Sequence, residues 1–231
     1  MSLENNKYQD GVILKIDKPI GWTSFDIVNK IRGTLQFKKI GHTGTLDPLA
    51  TGLLIICTGK FTKKINEFQN LNKEYEGSFT IGKKTPSHDL ETDFNSNKSI
   101  KNITPKIILK TVKSFLGNQM QIPPKFSAVK INGERAYKKA RKSEKVILEP
   151  RHITINKFEI KSIKLPEINF VINCSKGTYI RAIARDFGNK LQVGAFLNKL
   201  RRTKIGEMNI KDSLSIEKTV SIIKKDLREN N

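Results

Sequence analysis

Apolar residues cluster between Val12 and Ile16, and the run stops at Lys18-Pro19, which predicts a strand. A period near 3.6 follows: Ile27, Val28 and Ile31 share one face of a helix that Thr23 or Ser24 is placed to cap. Leu53–Cys57 is an apolar run and predicts a short buried strand. Tyr75, Gly77, Phe79 and Ile81 alternate with polar neighbours and predict a half-buried strand. Residues 92–102, rich in Asn, Ser and Lys, read as a solvated loop. Thr104-Pro105 opens a helix through Phe115 with Gly117 placed to end it, and Pro123-Pro124 interrupts the chain again. Strands are predicted over His152–Lys164 and through Ile168, Phe170, Ile172 and Cys174. A helix beginning at Thr178 carries Ile183, Phe187 and Leu191 on one stripe, with Arg181 and Arg185 on another face. A last helix carries Ile216, Val220, Ile223 and Leu227. The fold class expected from this order is α/β of the α+β type, a mixed, largely antiparallel sheet with flanking helices.

The chain has 231 residues, enough to bury a substantial core. Lys and Arg number 43 against 22 acidic residues, a net charge of +21 spread along the whole length. Such a field suits a polyanion, with phosphate contacts supplying non-specific affinity. A lysine-rich proteome is the competing explanation. The sequence holds no run of about 18 apolar residues to span a membrane and no apolar signal segment near its start. Cys57 and Cys174 sit in apolar runs and read as small buried residues of a reducing cytoplasm. His42, His88 and His152 with two distant cysteines make no metal-ligand pattern.

The densest chemical signal is Gly41-His42-Thr43-Gly44-Thr45-Leu46-Asp47-Pro48-Leu49-Ala50-Thr51-Gly52-Leu53-Leu54-Ile55. Its single carboxylate, Asp47, lies in a loop of Gly, Thr and Pro that presents one side chain in a set direction. An isolated Asp-Pro would read as a turn. The full string resembles the catalytic motif of the TruB family, the tRNA pseudouridine-55 synthases. Further strings stand in the order of that family: Lys18-Pro19-Ile20-Gly21-Trp22-Thr23-Ser24; Lys73-Glu74-Tyr75 leading to Ile81-Gly82, Thr85, Ser87 and Asp89; Ile122-Pro123-Pro124-Lys125-Phe126-Ser127-Ala128-Val129-Lys130; Cys174-Ser175-Lys176-Gly177-Thr178-Tyr179-Ile180-Arg181; and Leu200-Arg201-Arg202.

The resemblance implies a pseudouridine synthase catalytic fold and an isomerase. The enzyme breaks the C1′–N1 bond of a T-loop uridine in tRNA, at position 55, turns the uracil and rejoins it through C5. Nothing enters or leaves, so no cofactor or metal is expected. In this resemblance Asp47 is the nucleophile, Arg181 the cation that keeps it ionised, and Tyr75 the ring stacked on the target base. Tyr179 and Leu200 resemble pocket walls, Lys18 the lysine beside the pocket, and His42 the residue that fills the space left by the flipped base. Read alone, Tyr75, Tyr179 and Leu200 are ordinary core residues, Lys18 a solvated lysine and Arg181 a surface helix arginine.

Two positions depart from the family pattern: Ser87 replaces a Thr, and Thr92 stands where a Gly is common, so a different turn is expected there. Only 25 residues follow Gly206, too few for a further domain of about 50. One catalytic domain over residues 1–231 is therefore expected, without a C-terminal RNA-binding domain of the PUA type, acting on the T arm of tRNA with no obligatory protein partner. Two rivals remain: a pseudouridine synthase for another RNA, and a non-enzymatic RNA-binding protein or tRNA-folding chaperone.

Overall fold

A computed structural model describes residues 7–36, 38–131, 133–142, 144 and 146–229. The chain forms two compact units: residues 1–75 with 201–231, and residues 76–200. Two strands, Lys73–Ile81 and Ala195–Ile205, are divided between them.

The first unit is built on the hydrogen-bonded order Leu214–Ser215, Ile13–Lys18, Ala50–Thr58, Ala195–Ile205. Ile13–Lys18 runs antiparallel to Ala50–Thr58, with Lys18 opposite Gly52, and parallel to Leu214–Ser215. The strand expected at Leu53–Cys57 is longer, Ala50–Thr58, and is buried as predicted, on both faces. Leu54 and Ile56 pack with Ile16, Ile27, Ile31, Ile216 and Ile223, while Leu53, Ile55 and Cys57 join Ile205 in a separate cluster. Two apolar faces explain why the run shows no alternation. Each fully buried Ile or Leu contributes about 1.5–3 kcal/mol by leaving water.

The Ser24–Leu35 helix starts in a capping box, with the Thr23 hydroxyl accepting from the Asp26 N–H and the Asp26 carboxylate accepting from the Thr23 N–H. This settles the choice between Thr23 and Ser24 and leaves the Ser24 side chain available for another role. The last helix spans Ile216–Glu229 and buries Ile216, Val220 and Ile223 as its periodicity predicts.

The second unit carries the order Lys73–Ile81, Glu167–Cys174, Arg151–Lys164, Gly117–Gln121. The last two pairings are antiparallel, as expected of a hairpin and its neighbour. Its core is aromatic: Phe79 lies 4.3 Å from Phe170 and 5.5 Å from Phe187, ring centre to ring centre, and Phe158 meets Phe79 edge-on at 6.2 Å. Helices Pro105–Lys113 and Ile180–Lys190 contribute Ile108, Val112, Ile183 and Phe187 to buried positions.

Two expectations require correction. The helix capped by Thr104 ends at Lys113, and Gly117, with φ +88°, opens a strand instead of closing that helix. The loop over residues 92–102 includes a short strand, Ser96–Asn97, paired with Lys83–Lys84. The strand Ala195–Ile205 was not foreseen at all, because Asn198 and Lys199 break its apolar alternation.

Candidate active site

The sequence-predicted residues divide between the units: Lys18, His42, Asp47 and Tyr75 belong to the first, Tyr179, Arg181 and Leu200 to the second.

In the first unit, Asp47 lies in the irregular segment between strands Ile40–His42 and Ala50–Thr58. Its neighbours are fastened on every side. Ser24, 1% exposed, accepts the Leu46 N–H at 2.8 Å and donates to the Leu46 carbonyl at 3.3 Å. On the other side, the Pro48 carbonyl accepts the Gly21 N–H at 2.9 Å and a longer bond from Lys18 Nζ at 3.4 Å. The Ala50 N–H closes the turn onto the Asp47 carbonyl at 3.0 Å. Thus both residues flanking the acid are held by groups from residues 18–24, the end of one strand, a turn and the start of a helix. The Asp47 side chain is half-buried.

Lys18 is not the solvated lysine of the ordinary reading. It is fully buried, and its ammonium donates to the carbonyls of Trp22 at 2.6 Å and Pro19 at 2.9 Å. Burial pushes its pKa down to about 8, against the attraction of Asp47; the positive charge of Arg202 adds to the lowering. The structure therefore joins Lys18 and Asp47 electrostatically within one unit.

His42 ends the strand Ile40–His42, and its Nδ1 accepts the Gly44 N–H at 3.2 Å. Nδ1 then lacks a proton, and Nε2 carries it. Burial, followed by the Arg202 charge, lowers the His42 pKa, so the ring is neutral at pH 7. A neutral imidazole is suited to stacking on a base. Tyr75 is buried at 8% exposure in the strand Lys73–Ile81.

In the second unit, Tyr179 is the N-cap of the helix Ile180–Lys190, which begins two residues after the predicted start at Thr178. No side chain of its own caps that helix end. Gln121 instead grips the Tyr179 backbone from both sides, its Oε1 accepting the N–H at 2.9 Å and its Nε2 donating to the carbonyl at 3.2 Å. The Tyr179 ring is half-buried, with the Arg151 guanidinium 5.9 Å from its centre. Leu200 is half-buried near the end of the unit.

Arg181 is 4% exposed, so the surface reading fails. Its Nη1 lies 3.5 Å from Asp89 Oδ2, and Nη2 donates to the Phe126 carbonyl at 2.9 Å. Asp89 is itself held: its Oδ1 accepts the Glu91 N–H and its carbonyl accepts the Thr85 hydroxyl. The two departures from the family pattern meet in this turn. Thr92 Oγ1 accepts the Ser87 N–H at 3.1 Å and lies 2.9 Å from Ser87 Oγ. A Gly at position 92 would offer no hydroxyl for either bond, so this hydrogen bonding depends on Thr92.

The sequence reading passed over Ser24, Asp89, Gln121 and Arg202 as site residues. Ser24, Asp89 and Arg202 occur within the quoted strings, which is the signal that was available; their partners lie far away in sequence.

Known proteins resemble this chain over most of its length. Residues 32–180 match the family model described as TruB family pseudouridylate synthase (N terminal domain). A protein of Flavobacterium johnsoniae named tRNA pseudouridine synthase B is 52% identical over 217 residues, covering 91% of this chain and 95% of that protein. One of the same name from Phocaeicola vulgatus is 47% identical over 216 residues, 91% of this chain and 92% of that protein. Among solved structures, a chain of a Cbf5-Nop10-Gar1 complex superposes with a TM-score of 0.70 at 27% identity. The match covers 93% of this chain, which spans about half of the solved one (54%). With the ordered motifs, the braced Asp47 loop and relatives of this closeness, the chain belongs to the TruB family of pseudouridylate synthases.

Proposed function

We propose that this protein isomerises uridine to pseudouridine in the T loop of tRNA, at position 55. The observation that carries the reading is the Asp47 loop, a lone acid whose two neighbours are each fastened by groups from another segment. Such bracing is what a nucleophile needs, because attack depends on approach within a narrow range of distance and angle. The relatives named tRNA pseudouridine synthase B support tRNA as the substrate.

Asp47 is the proposed nucleophile, Arg181 the essential cation of the reaction and Tyr75 the base-stacking ring. His42, neutral and with its Nε2–H directed away from the Gly44 bond, is proposed to stack where the flipped base has left. Tyr179 and Leu200 are proposed pocket walls. Lys18 is given a holding role at Pro48 in place of contact with RNA. Uracil leaves and returns on the same ribose, so the reaction balances without a co-reactant. The +21 charge supplies non-specific attraction to phosphates.

The deciding assay is pseudouridine formation on full tRNA and on an isolated T-arm stem-loop. Wild-type protein modifies one uridine in both, and Asp47→Asn binds the RNA while forming no product. Turnover by Asp47→Asn, or binding without any turnover by the wild type, overturns the reading. Modification of full tRNA alone overturns recognition through the T arm.

A further inference from the structure

Arg202 is the largest of the fully buried side chains, 1% exposed, on the strand Ala195–Ile205. Its guanidinium does not reach outward. Nε donates to the Leu53 carbonyl at 2.8 Å and Nη2 to the Gly44 carbonyl at 3.2 Å. These two carbonyls stand on opposite sides of Asp47 in the chain, Gly44 within the loop and Leu53 in the strand that follows it. The Arg202 backbone lies as close: a Cβ on Gly52 would sit 2.3 Å from the Arg202 carbonyl oxygen and 2.7 Å from its nitrogen. Gly52, at φ +105°, faces Lys18 across the other strand pair. A glycine there lets three strands close up, and the two outer ones each send a buried cation to the loop.

A buried guanidinium is costly, and among the described residues the hydrogen bonds of Arg202 go to carbonyls and not to a carboxylate. A Met would fill similar volume without burying a charge. What the planar fork adds is a fixed direction for each of the two carbonyls, which a Met cannot bind and a rotating ammonium does not orient. The same grip sets Gly44, whose N–H in turn orients His42.

We propose that Arg202 is a positioning residue of the pseudouridine reaction, whose guanidinium ties the Asp47 loop at Gly44 to the following strand at Leu53 and so aims the Asp47 carboxylate without touching RNA. This rests on the assignment of Asp47 as nucleophile. The charge of Arg202 is also felt at His42 and Lys18, lowering the proton affinity of both, and this gives an independent readout.

The experiment compares wild type, Arg202→Lys, Arg202→Met and Asp47→Asn on the T-arm stem-loop. Three quantities are measured: single-turnover rate, RNA affinity, and the His42 pKa by NMR of its ring protons. Misplacing a nucleophile by about 1 Å costs on the order of 100-fold in rate, and both Arg202 variants are expected to lose about that much. Affinity is expected to change less than about threefold, since a residue that does not touch RNA removes no contact from it. The His42 pKa is expected to rise in Arg202→Met, which loses the charge, and to stay near wild type in Arg202→Lys, which keeps it. Slow turnover with an unmoved His42 pKa in Arg202→Lys therefore assigns the loss to geometry. Full activity in Arg202→Lys shows that charge alone matters and overturns the proposal. Equal losses of rate and affinity overturn it too, by making Arg202 a binding residue. If Arg202→Met does not fold, Arg202→Lys decides alone. Turnover by Asp47→Asn would instead refute the nucleophile assignment, an outcome separate from any result at Arg202.

Discussion

In the first unit Lys18 and Arg202 are buried and donate to backbone carbonyls, whereas the second unit buries Arg181 beside the carboxylate of Asp89. The cores differ in the same sense. The first is packed from Ile, Leu and Val on the two faces of one strand; the second is a cluster of Phe rings around Phe79. Carbonyl dipoles satisfy the donors of a cation without neutralising it, so positive charge persists around the Asp47 loop. A carboxylate neutralises its partner but makes each member depend on the other. The first arrangement suits a loop whose acid must stay ionised. The second suits a cation that must be held in one place.

Substitutions on either side sharpen or break this contrast. Phe79→Ala opens a cavity among three rings and is expected to cost about 3–5 kcal/mol in urea unfolding, whereas Ile56→Val in the first unit costs about 0.5–1.5. Similar losses at both sites would show that the aromatic cluster is not special. Asp89→Ala takes the carboxylate from a buried guanidinium, and about 3 kcal/mol is expected. Lys18→Met removes donors from neutral carbonyls and one attraction felt by the half-buried Asp47, so about 2 kcal/mol is expected. A larger loss at Lys18 than at Asp89 breaks the comparison. The Ser87–Thr92 contact is weaker still. A double-mutant cycle with Ser87→Ala and Thr92→Val should return a coupling of about 1 kcal/mol, and zero coupling would make the two departures independent.

The contrast also extends to pH, and each unit has its own window. Lys18 has a folded pKa of about 8 against 10.5 for an ordinary lysine. Between those values the unfolded chain binds the proton that the folded one has lost, so stability from this group rises with pH from about 8 to 10.5. Lys18→Met should remove that rise. In the second unit burial, with Arg185 and Arg181, pushes His88 down to about 4 from 6.5. Here too the unfolded chain binds more protons, so stability falls as pH drops from 6.5 toward 4. His88 holds φ +64°, a conformation Asn tolerates, so His88→Asn tests the charge without straining the turn. Unfolding curves at several pH values check both slopes, and an unchanged slope in either variant removes that residue as the cause.

Most regular elements were legible because each writes a local period. Ile27, Val28 and Ile31 marked their helix; Tyr75, Phe79 and Ile81 marked a strand; Cys57 and Cys174 were read as buried and are. The strand Ala195–Ile205 was not legible, since only its partner strands explain why Asn198 and Lys199 belong in it. For the site, the ordered strings around Asp47, Tyr75 and Arg181 identified the family, but the depth of each side chain escaped them. Lys18 and Arg181 read as exposed cations and are buried, because a charged residue type says nothing about whether distant carbonyls or a carboxylate await it.

By itself, then, the sequence determined the residue types able to do the chemistry, the periodicities of most elements and the excess of positive charge. Only the tertiary structure decided that Ser24 grips Leu46, that Gln121 grips Tyr179 and that Arg202 reaches both Gly44 and Leu53. The physical reason is range: a period is set by neighbours within a turn or two of chain, while these bonds join groups 22 to 158 residues apart, which come together only when the strands that carry them have paired.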